Sequence, residues 1–505
     1  MDSVVVRTGS GELQGTSEGG VSRFLGVPYA ASPADSGWLL PPAPVPPWEG
    51  VRPATEYGPT VPKNAYPMPS REMLTEPVVD GDECLNLNIW SPGTDGFAPV
   101  FVWIHGGAFR NGSGIVPQYD GTAFARDGVV CVTINYRLGL YGSLDTGDGH
   151  TNIGLRDQIA ALRWVQDNIA AFGGDPARVT IGGESAGGMS VTSLLASPLT
   201  EGLFRGAIAQ SGAGHHATSP AGARAVSAFL ADTLGIEADR EAFARVPRAD
   251  LLAAQEKVGI VVQTDPDPAK WGEIAANTMP FEPVVGDDVM PVLPYGGLRG
   301  GRGAAVSVLV GTNADEMLFF LAPTGIVAGV DQAGYGAVAG AVARYGFADP
   351  AAVVEAYKGG RNDSPGKVMA AVAADWFFGI PAVRVAEARA DRAQADGGAA
   401  APTYVYQFGW SSTARGGTLG SCHALEIGFV FDTLAARDGE NLTGPNPPQA
   451  LADEMHAAWV RFITDGAPGW EPYTPDHREV RIFDIESETV VDPRPEQRVL
   501  WEGLR

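Results

Sequence analysis

The sequence predicts an α/β fold in which one large, mostly parallel sheet is flanked by helices. Segments with strand character alternate along the chain with segments of helical spacing. Two strand-like segments, Val100–Ile104 and Val129–Ile134, are almost wholly apolar, as is typical of strands covered on both faces. No low-complexity linker divides the 505 residues, so we expect one domain over residues 1–505 with insertions.

The elements follow from local patterns. Glycines separate three short N-terminal segments that predict an antiparallel meander, and residues 31–69 are rich in proline and glycine and predict irregular chain. Apolar residues recur at helical spacing from Gly154 to Phe172, and the pattern stops at a glycine pair. The meander strands are 4–8, 12–15 and 21–25; further strands are predicted at 85–90, 100–104, 129–134, 179–181, 204–210, 306–310 and 403–408, and further helices at 189–195, 220–260 and 450–462.

Composition excludes several classes of function. The formal charge of −24 argues against nucleic acid and anionic membranes as partners, because both require a positive surface. No apolar run approaches the ~18 residues that span a bilayer, and the N-terminus lacks the pattern of a secretory signal. Three scattered cysteines are too few for a disulfide framework or a thiolate metal site. We therefore expect a soluble, cytoplasmic monomer without a metal or cofactor.

Ser185 is the candidate nucleophile. It lies in a G-x-S-x-G pattern between the apolar segment Val179–Ile181 and a helix-like segment, 189–195. A strand that turns sharply into a helix exposes such a serine at its tip. With 66 glycines in the chain, about 0.4 matches to the pattern arise by chance. A second match around Ser17 lacks the strand and helix, so we interpret it as a polar turn.

A serine nucleophile requires a base, an acid that orients the base, and donors for the developing oxyanion. His105-Gly-Gly107 follows a predicted strand, so the N–H groups of Gly106 and Gly107, with that of Ala186, are the predicted oxyanion donors. His423 follows a strand and a glycine-rich loop and is the favoured base. The other downstream histidines come too early in the chain or lie in a helix or polar turn: His215, His216, His456 and His477.

The acid is expected between the serine and the base in chain order. Asp315 and Glu316 directly follow the strand-like segment Val306–Val310. The residue pattern does not choose between these two neighbouring carboxylates.

Several longer motifs are spread over nearly the whole chain. They are Phe24-Leu-Gly-Val-Pro-Tyr-Ala30, Asp82-Glu-Cys-Leu-Asn-Leu-Asn-Ile89, Asn135-Tyr-Arg-Leu-Gly139, Asn152-Ile-Gly-Leu-Arg-Asp-Gln158, Phe172-Gly-Gly-Asp-Pro176 and Gly183-Glu-Ser-Ala-Gly-Gly188. Together these motifs resemble the type B carboxylesterases of the α/β-hydrolase superfamily, most of all the bacterial para-nitrobenzyl esterase group.

The resemblance implies an α/β-hydrolase fold and a serine esterase that cleaves small neutral esters through an acyl-enzyme. Carried over residue by residue, it implies Ser185 as nucleophile, His423 as base and Glu316, rather than Asp315, as acid. It further implies supporting roles for Ser211, by a hydrogen bond to the acid, and for Glu184. The alternatives are a carbamate or amide hydrolase and an interaction protein that has lost catalysis, as some members of the family have.

Two departures from the family pattern bear on these expectations. Many secreted relatives pair the equivalent of Cys84 with a cysteine in a Gly-Pro-x-Cys-Pro segment, but this chain has Gly58-Pro-Thr-Val-Pro62. That disulfide cannot form, in agreement with an intracellular location. In addition, Met317 replaces the glycine that usually follows the acid.

Overall fold

A 13-stranded mixed sheet forms the centre of the computed structural model, which describes residues 2–395, 397, 400–436 and 439–505. The strands are β1 (Asp2–Arg7), β2 (Glu12–Glu18), β3 (Val21–Pro28), β4 (Val51–Pro53), β5 (Asn86–Ser91), β6 (Ala98–Ile104), β7 (Val130–Ile134), β8 (Gly174–Glu184), β9 (Gly206–Gln210), β10 (Ser307–Asn313), β11 (Thr403–Phe408), β12 (Glu479–Phe483) and β13 (Glu488–Val491).

The strand order is β1-β2-β3-β5-β7-β6-β8-β9-β10-β11-β12-β13, with β4 beside β2. Neighbours from β7 to β12 are parallel. The pairs from β1 to β7 through β5 are antiparallel, as is the last pair, β12 with β13. The parallel sheet and the N-terminal meander are thus confirmed. Because the carboxyl ends of parallel strands lie at one edge, the loops after β6, β8 and β10 meet there.

Some of the longer helices cover the two faces of the sheet, and the four that span residues 326–374 pack mainly against one another. The longer helices are α1 (Ile153–Asn168), α2 (Ala186–Ala196), α3 (Pro220–Leu234), α4 (Arg248–Thr264), α5 (Ile326–Ala333), α6 (Tyr335–Val342), α7 (Pro350–Tyr357), α8 (Pro365–Ala374), α9 (Ile380–Ala395) and α10 (Gln449–Asp465). Shorter helices span Pro33–Ser36, Thr122–Arg126, Gly139–Ser143, Arg240–Ala244, Pro268–Trp271, Ile274–Asn277, Pro294–Arg299, Leu318–Leu321, Ile427–Val430, Glu440–Thr443 and Pro495–Leu500.

The apolar strands are buried from both sides. On β6, Val100, Val102 and Ile104 pack into one core cluster together with residues of α1. The residues between them, Phe101 and Trp103, pack into a second cluster together with residues of α10. Two separate cores therefore account for a strand in which successive residues are all apolar.

Two details differ from the sequence interpretation. Ser17 lies inside β2, not in a polar turn; the turn comes after it, at Gly19 and Gly20. Ser17 lies opposite Asp2 of β1 and Ser22 of β3, both of which pair with β2. The predicted helix from Gly154 also ends earlier, because α1 gives way at its end to a 3-10 turn.

One continuous helical stretch, Pro365–Ala395, is long and apolar enough to cross a bilayer by length and composition. Of its most apolar window, 72% is buried inside the protein, as in a core helix. Among the described residues, α5 with the stretch Tyr335–Tyr345 passes the same test only as a pair, and that pair is bent by 117°.

Candidate active site

Ser185 lies at the tip of a sharp turn between β8 and α2. Its backbone angles, φ 57° and ψ −124°, lie in a region that side-chain-bearing residues rarely adopt. Backbone hydrogen bonds hold this conformation: the Ser185 N–H donates to Gln210 O, and the Met189 N–H donates to Ser185 O, each at 2.9 Å. The strand-to-helix turn expected at Ser185 is therefore present.

Glycines on both sides of Ser185 allow the backbone to pass close to β6. A Cβ added to Gly183 would lie 2.6 Å from the Ile104 oxygen, and one added to Gly187 would lie 2.0 Å from the same atom. Neither distance is tolerated by a real Cβ, so the spacing of the pattern has a steric cause.

The loop after β6 brings further glycines to the serine. A Cβ on Gly106 would lie 3.0 Å from the Ser185 Cβ, and Gly107 has a φ of +116°. The N–H groups of Gly106, Gly107 and Ala186 donate no hydrogen bond to any acceptor in the described part of the chain. Ala186 is the first residue of α2, where a helix leaves its N–H groups unpaired. Unpaired donors of this kind can bind an oxyanion.

His423 contacts two carboxyl groups. Its Nδ1 lies 2.6 Å from Glu316 Oε2, and its Nε2 lies 3.0 Å from Glu184 Oε1. His423 is 5% exposed and Glu316 is 1% exposed, so solvent screens these contacts weakly. Among the described hydrogen bonds, none joins the Ser185 hydroxyl to His423, but both side chains line the same cavity.

The two neighbouring carboxylates after β10 point in different directions. Asp315 Oδ2 accepts hydrogen bonds from Arg361 Nη1 and from the Ser421 N–H, each at 2.8 Å. Glu316 turns inward, where its Oε1 accepts the Asn313 N–H at 2.8 Å. The geometry thus favours Glu316 over Asp315 as the partner of the histidine.

Glu426 is a third buried carboxyl group, to which the sequence analysis assigned no role. Its two oxygens accept hydrogen bonds from Gln210 Nε2 at 3.0 Å and from Asn313 Nδ2 at 2.6 Å. Because Asn313 also donates its N–H to Glu316, one asparagine links the two carboxyl groups. Glu426 follows His423 by three residues, but spacing within a loop does not show which side chains turn inward.

Burial and nearby charges shift the pKa values of these groups. Burial raises the pKa of Glu184 to about 8; the charge of His423 opposes this shift, and the charges of Glu426 and Glu316 add to it. Burial also raises the pKa of Glu426. Burial lowers the pKa of His423, but the nearby charges of Glu184 and Glu316 outweigh it, so the pKa lies above that of an ordinary histidine. The site therefore stabilises an imidazolium, and its groups titrate as a coupled set.

The hydrogen bond expected from Ser211 to the acid is not formed. The Ser211 hydroxyl is buried and has no hydrogen-bond partner among the described residues. Its backbone has a φ of 47°, and its N–H donates to Gly311 O at 2.8 Å, so the turn after β9 is fixed by the backbone. The Asn313 N–H, rather than Ser211, supports Glu316.

Histidines other than His423 have different surroundings. His105 Nδ1 lies 2.8 Å from Gly106 O, and burial lowers its pKa to about 3, so this ring is neutral. His215 stacks on Tyr295 with ring centres 4.7 Å apart. His216 lies behind the cavity wall, and its contacts are described below.

The side chains of Ser185, Glu184 and His423 open onto a cavity of about 530 Å³. A volume of this size accommodates a small organic molecule. Methionine and phenylalanine form much of the wall: Met68, Met73, Met189, Met279, Met317, Phe319, Phe320, Phe377 and Phe378. Flexible thioether side chains adapt to ligands of different shape, so the wall suits varied apolar groups.

Comparison with known proteins agrees with this geometry. A model of the carboxylesterase family matches residues 2–500. The chain is 34% identical to the para-nitrobenzyl esterase of Bacillus subtilis, covering 99% of this chain and 98% of that protein. It is 36% identical to the phenmedipham hydrolase of Pseudarthrobacter oxydans, covering 92% and 90%.

Solved structures show the same relationship. The crystal structure of a Geobacillus stearothermophilus carboxylesterase superposes with a TM-score of 0.83 at 35% identity, covering 98% of this chain and 99% of that chain. A PNB esterase structure superposes with a TM-score of 0.82 at 32% identity and the same coverage. By sequence and by fold, this chain belongs to the carboxylesterase family and is an ester hydrolase with the α/β-hydrolase fold.

Proposed function

We propose that this carboxylesterase uses Ser185 as nucleophile, His423 as general base and Glu316 as the acid that orients the base. The 2.6 Å contact between His423 Nδ1 and Glu316, on the same cavity as the strained serine turn, carries the proposal. In this arrangement Glu316 fixes the proton on Nδ1 and leaves Nε2 to exchange a proton with the reacting oxygen atoms.

The reaction proceeds in two halves. The Ser185 oxygen attacks the ester carbonyl carbon, and its proton passes to His423 Nε2. The tetrahedral intermediate collapses, the C–O bond to the alcohol breaks, and the same proton leaves with the alcohol. A water molecule then attacks the acyl carbon and gives a proton to His423 Nε2; the bond to the Ser185 oxygen breaks, the proton returns to Ser185, and the carboxylic acid leaves. The N–H groups of Gly106, Gly107 and Ala186 stabilise the oxyanion in both halves.

Glu184 occupies the Nε2 side of His423 in the resting enzyme. Hydrogen bonds between nucleophile and base are often loose before substrate binds. We infer that substrate binding brings Ser185 and His423 into contact and that Glu184 stabilises the imidazolium in the meantime. Glu184 and Glu426 thereby tune the base, whereas Ser211 contributes through its backbone.

The preferred substrates are neutral esters with apolar groups. The wall of methionine and phenylalanine side chains supports this preference. The carboxyl groups around the serine also support it, because they disfavour anionic substrates near the reacting atoms.

We also infer a single-domain monomer that acts in the cytoplasm. The sheet that runs from β1 to β13 supports one domain. Cys84, Cys131 and Cys422 are buried thiols, which supports a reducing compartment. Light scattering should give the mass of one 505-residue chain; a dimer mass would refute the monomer.

A fluorophosphonate probe tests the nucleophile. It should label one serine, Ser185, as mapped by mass spectrometry of peptides, and Ser185→Ala should abolish labelling. Ser17, which shares the sequence pattern but lies in β2, is the internal control and should stay unlabelled. Stoichiometric labelling elsewhere with Ser185 unmodified would overturn the assignment.

A further inference from the structure

His216 is fully buried and contacts the cavity wall instead of the catalytic groups. Its Nε2 lies 2.6 Å from the backbone oxygen of Phe377, and its Nδ1 lies 3.2 Å from Glu282 Oε1. Both partners have oxygen atoms that can accept a hydrogen bond from a ring N–H group. Asn277 Nδ2 donates to the second oxygen of Glu282 at 3.0 Å. The His216 ring is therefore held between a backbone oxygen and a carboxyl group, both buried in the protein.

The Phe377 oxygen belongs to an unusual segment of backbone. Asp375–Gly379 forms a π-helical turn between α8 and α9. Such turns interrupt the regular hydrogen-bond ladder and often occur at functional sites. The turn is fixed at its start by Asp375, whose carboxylate accepts hydrogen bonds from Arg494 at 2.8 and 3.1 Å and from the Tyr357 hydroxyl at 2.5 Å. The hydrogen bond from His216 fixes it at a second point.

The π turn carries two aromatic side chains of the wall. The rings of Phe377 and Phe378 both line the cavity, with centres 5.2 Å apart. The Phe378 ring lies 4.7 Å from His423, and the His216 ring stacks on Phe377 at 5.0 Å. His216 does not itself line the cavity. Any effect of His216 on a substrate therefore passes through these phenylalanines or, by way of Glu282, through Asn277, which also lines the cavity.

We propose that His216 and Glu282 form a positioning pair that sets the shape of the cavity at Phe377 and Phe378 and thereby determines selectivity for bulky esters. A loosened turn loses contacts with a substrate group large enough to reach the phenylalanines. A small ester such as an acetate does not depend on those contacts. The inference relies on the proposed catalytic serine only for its assay.

The test is His216→Gln, which keeps one donor near the Phe377 oxygen and removes the ring that contacts both Phe377 and Glu282. We would measure kcat and KM for p-nitrophenyl esters of graded acyl length and for acetates of graded alcohol size, with active enzyme counted by fluorophosphonate titration. The ratio of kcat/KM for bulky and small esters should fall roughly tenfold, mainly through KM. Misfolding alone would lower the active fraction and leave this ratio unchanged.

His456 provides a matched control. It is also buried and also lies between a backbone oxygen and a carboxylate, Val430 O at 2.7 Å and Asp127 Oδ2 at 3.1 Å, but none of these residues lines the cavity. His456→Gln should leave the ratio within about twofold of the wild type.

An unchanged ratio in His216→Gln, or an equal change in His456→Gln, would overturn the positioning role. If His216→Gln does not fold, Glu282→Gln decides the question, because it keeps the shape of the side chain and removes the charge. It should shift the ratio in the same direction, and no shift would refute the proposal. Failure of the proposed nucleophile has a separate signature, since the titration would then find no labelled Ser185.

Discussion

The floor and the outer wall of the cavity are built differently. On the floor, hydrogen bonds with the backbone of sheet residues hold Ser185 and also Glu316, which contacts His423 without lining the cavity itself. On the outer wall, Met68 is 63% exposed and Phe320 is 38% exposed, and neither belongs to a hydrophobic core cluster of the described residues. Reactive groups thus rest on the rigid part of the fold and selective contacts on its adaptable part. Changes on the floor should affect every ester, whereas changes on the wall should depend on the substrate.

Removing the nucleophile should give the largest effect. Ser185→Ala should fold normally and lose activity by about 10⁵–10⁶-fold towards all esters, because triad members act as a unit. Steady-state assays with small and bulky esters check both the size and the uniformity of the loss. Substantial turnover of either ester would contradict the assignment of the floor.

Asp315 and Glu316 lie next to each other in one loop, but only Glu316 contacts His423. Glu316→Gln should lower kcat by roughly 10³–10⁴-fold, since an amide no longer stabilises the imidazolium or fixes its tautomer. Asp315→Asn removes only a contact with Arg361 and Ser421, so activity should stay within about twofold of the wild type. The opposite ranking in kcat would move the acid to Asp315.

The sequence predicts the floor well because its backbone geometry leaves a pattern. Gly183 and Gly187 mark places where a Cβ would collide with β6, and the apolar strands mark burial on both faces. The residues alone left Asp315 and Glu316 open, because both follow the same strand, and only the side-chain directions distinguish them.

The cavity wall and the hydrogen bonds behind the catalytic residues are harder to predict from the sequence. Glu426 reaches Gln210 and Asn313 through contacts between segments far apart in the chain. The Ser211 hydroxyl lacks its expected partner because a backbone turn orients it. The π-helical turn that contains Phe377 has no characteristic residue pattern, so the sequence does not reveal it. Such features arise from tertiary packing, which local patterns do not encode.

The pH dependence of kcat/KM should show how the nearby carboxyl groups set the pKa of His423. Acylation requires neutral His423, so kcat/KM should rise with pH through an ionisation above the ~6.5 of an ordinary histidine, because Glu184 and Glu316 stabilise the imidazolium. Glu184→Gln removes the negative charge that Glu184 carries when it is ionised beside the imidazolium, so His423 should release its proton more easily. The rising limb should therefore move to lower pH.

The control for this shift is a double change at the other candidate histidines. His215→Gln with His216→Gln should leave the limb in place, since neither ring contacts His423 in the described structure. A limb that stays fixed in Glu184→Gln, or disappears in the double variant, would show that another group controls the base.

The smallest expected effect comes from the outer wall, and two adjacent phenylalanines sharpen the comparison. Phe320 lies at the cavity mouth with its ring 5.2 Å from His423, whereas Phe319, which also lines the cavity, is only 2% exposed. Phe320→Ala should raise KM for bulky esters by about three- to tenfold and leave kcat for an acetate within about twofold, because a partly exposed ring adds contact area without fixing the catalytic groups.

Phe319→Ala should instead lower the free energy of unfolding by about 3–5 kcal/mol, the cost of emptying a buried aromatic site. Kinetics on both ester classes and thermal unfolding of both variants separate the two effects. If Phe320→Ala lowered kcat equally for every ester, its ring would belong to the catalytic floor, and the division between reactive floor and selective wall would fail at that residue.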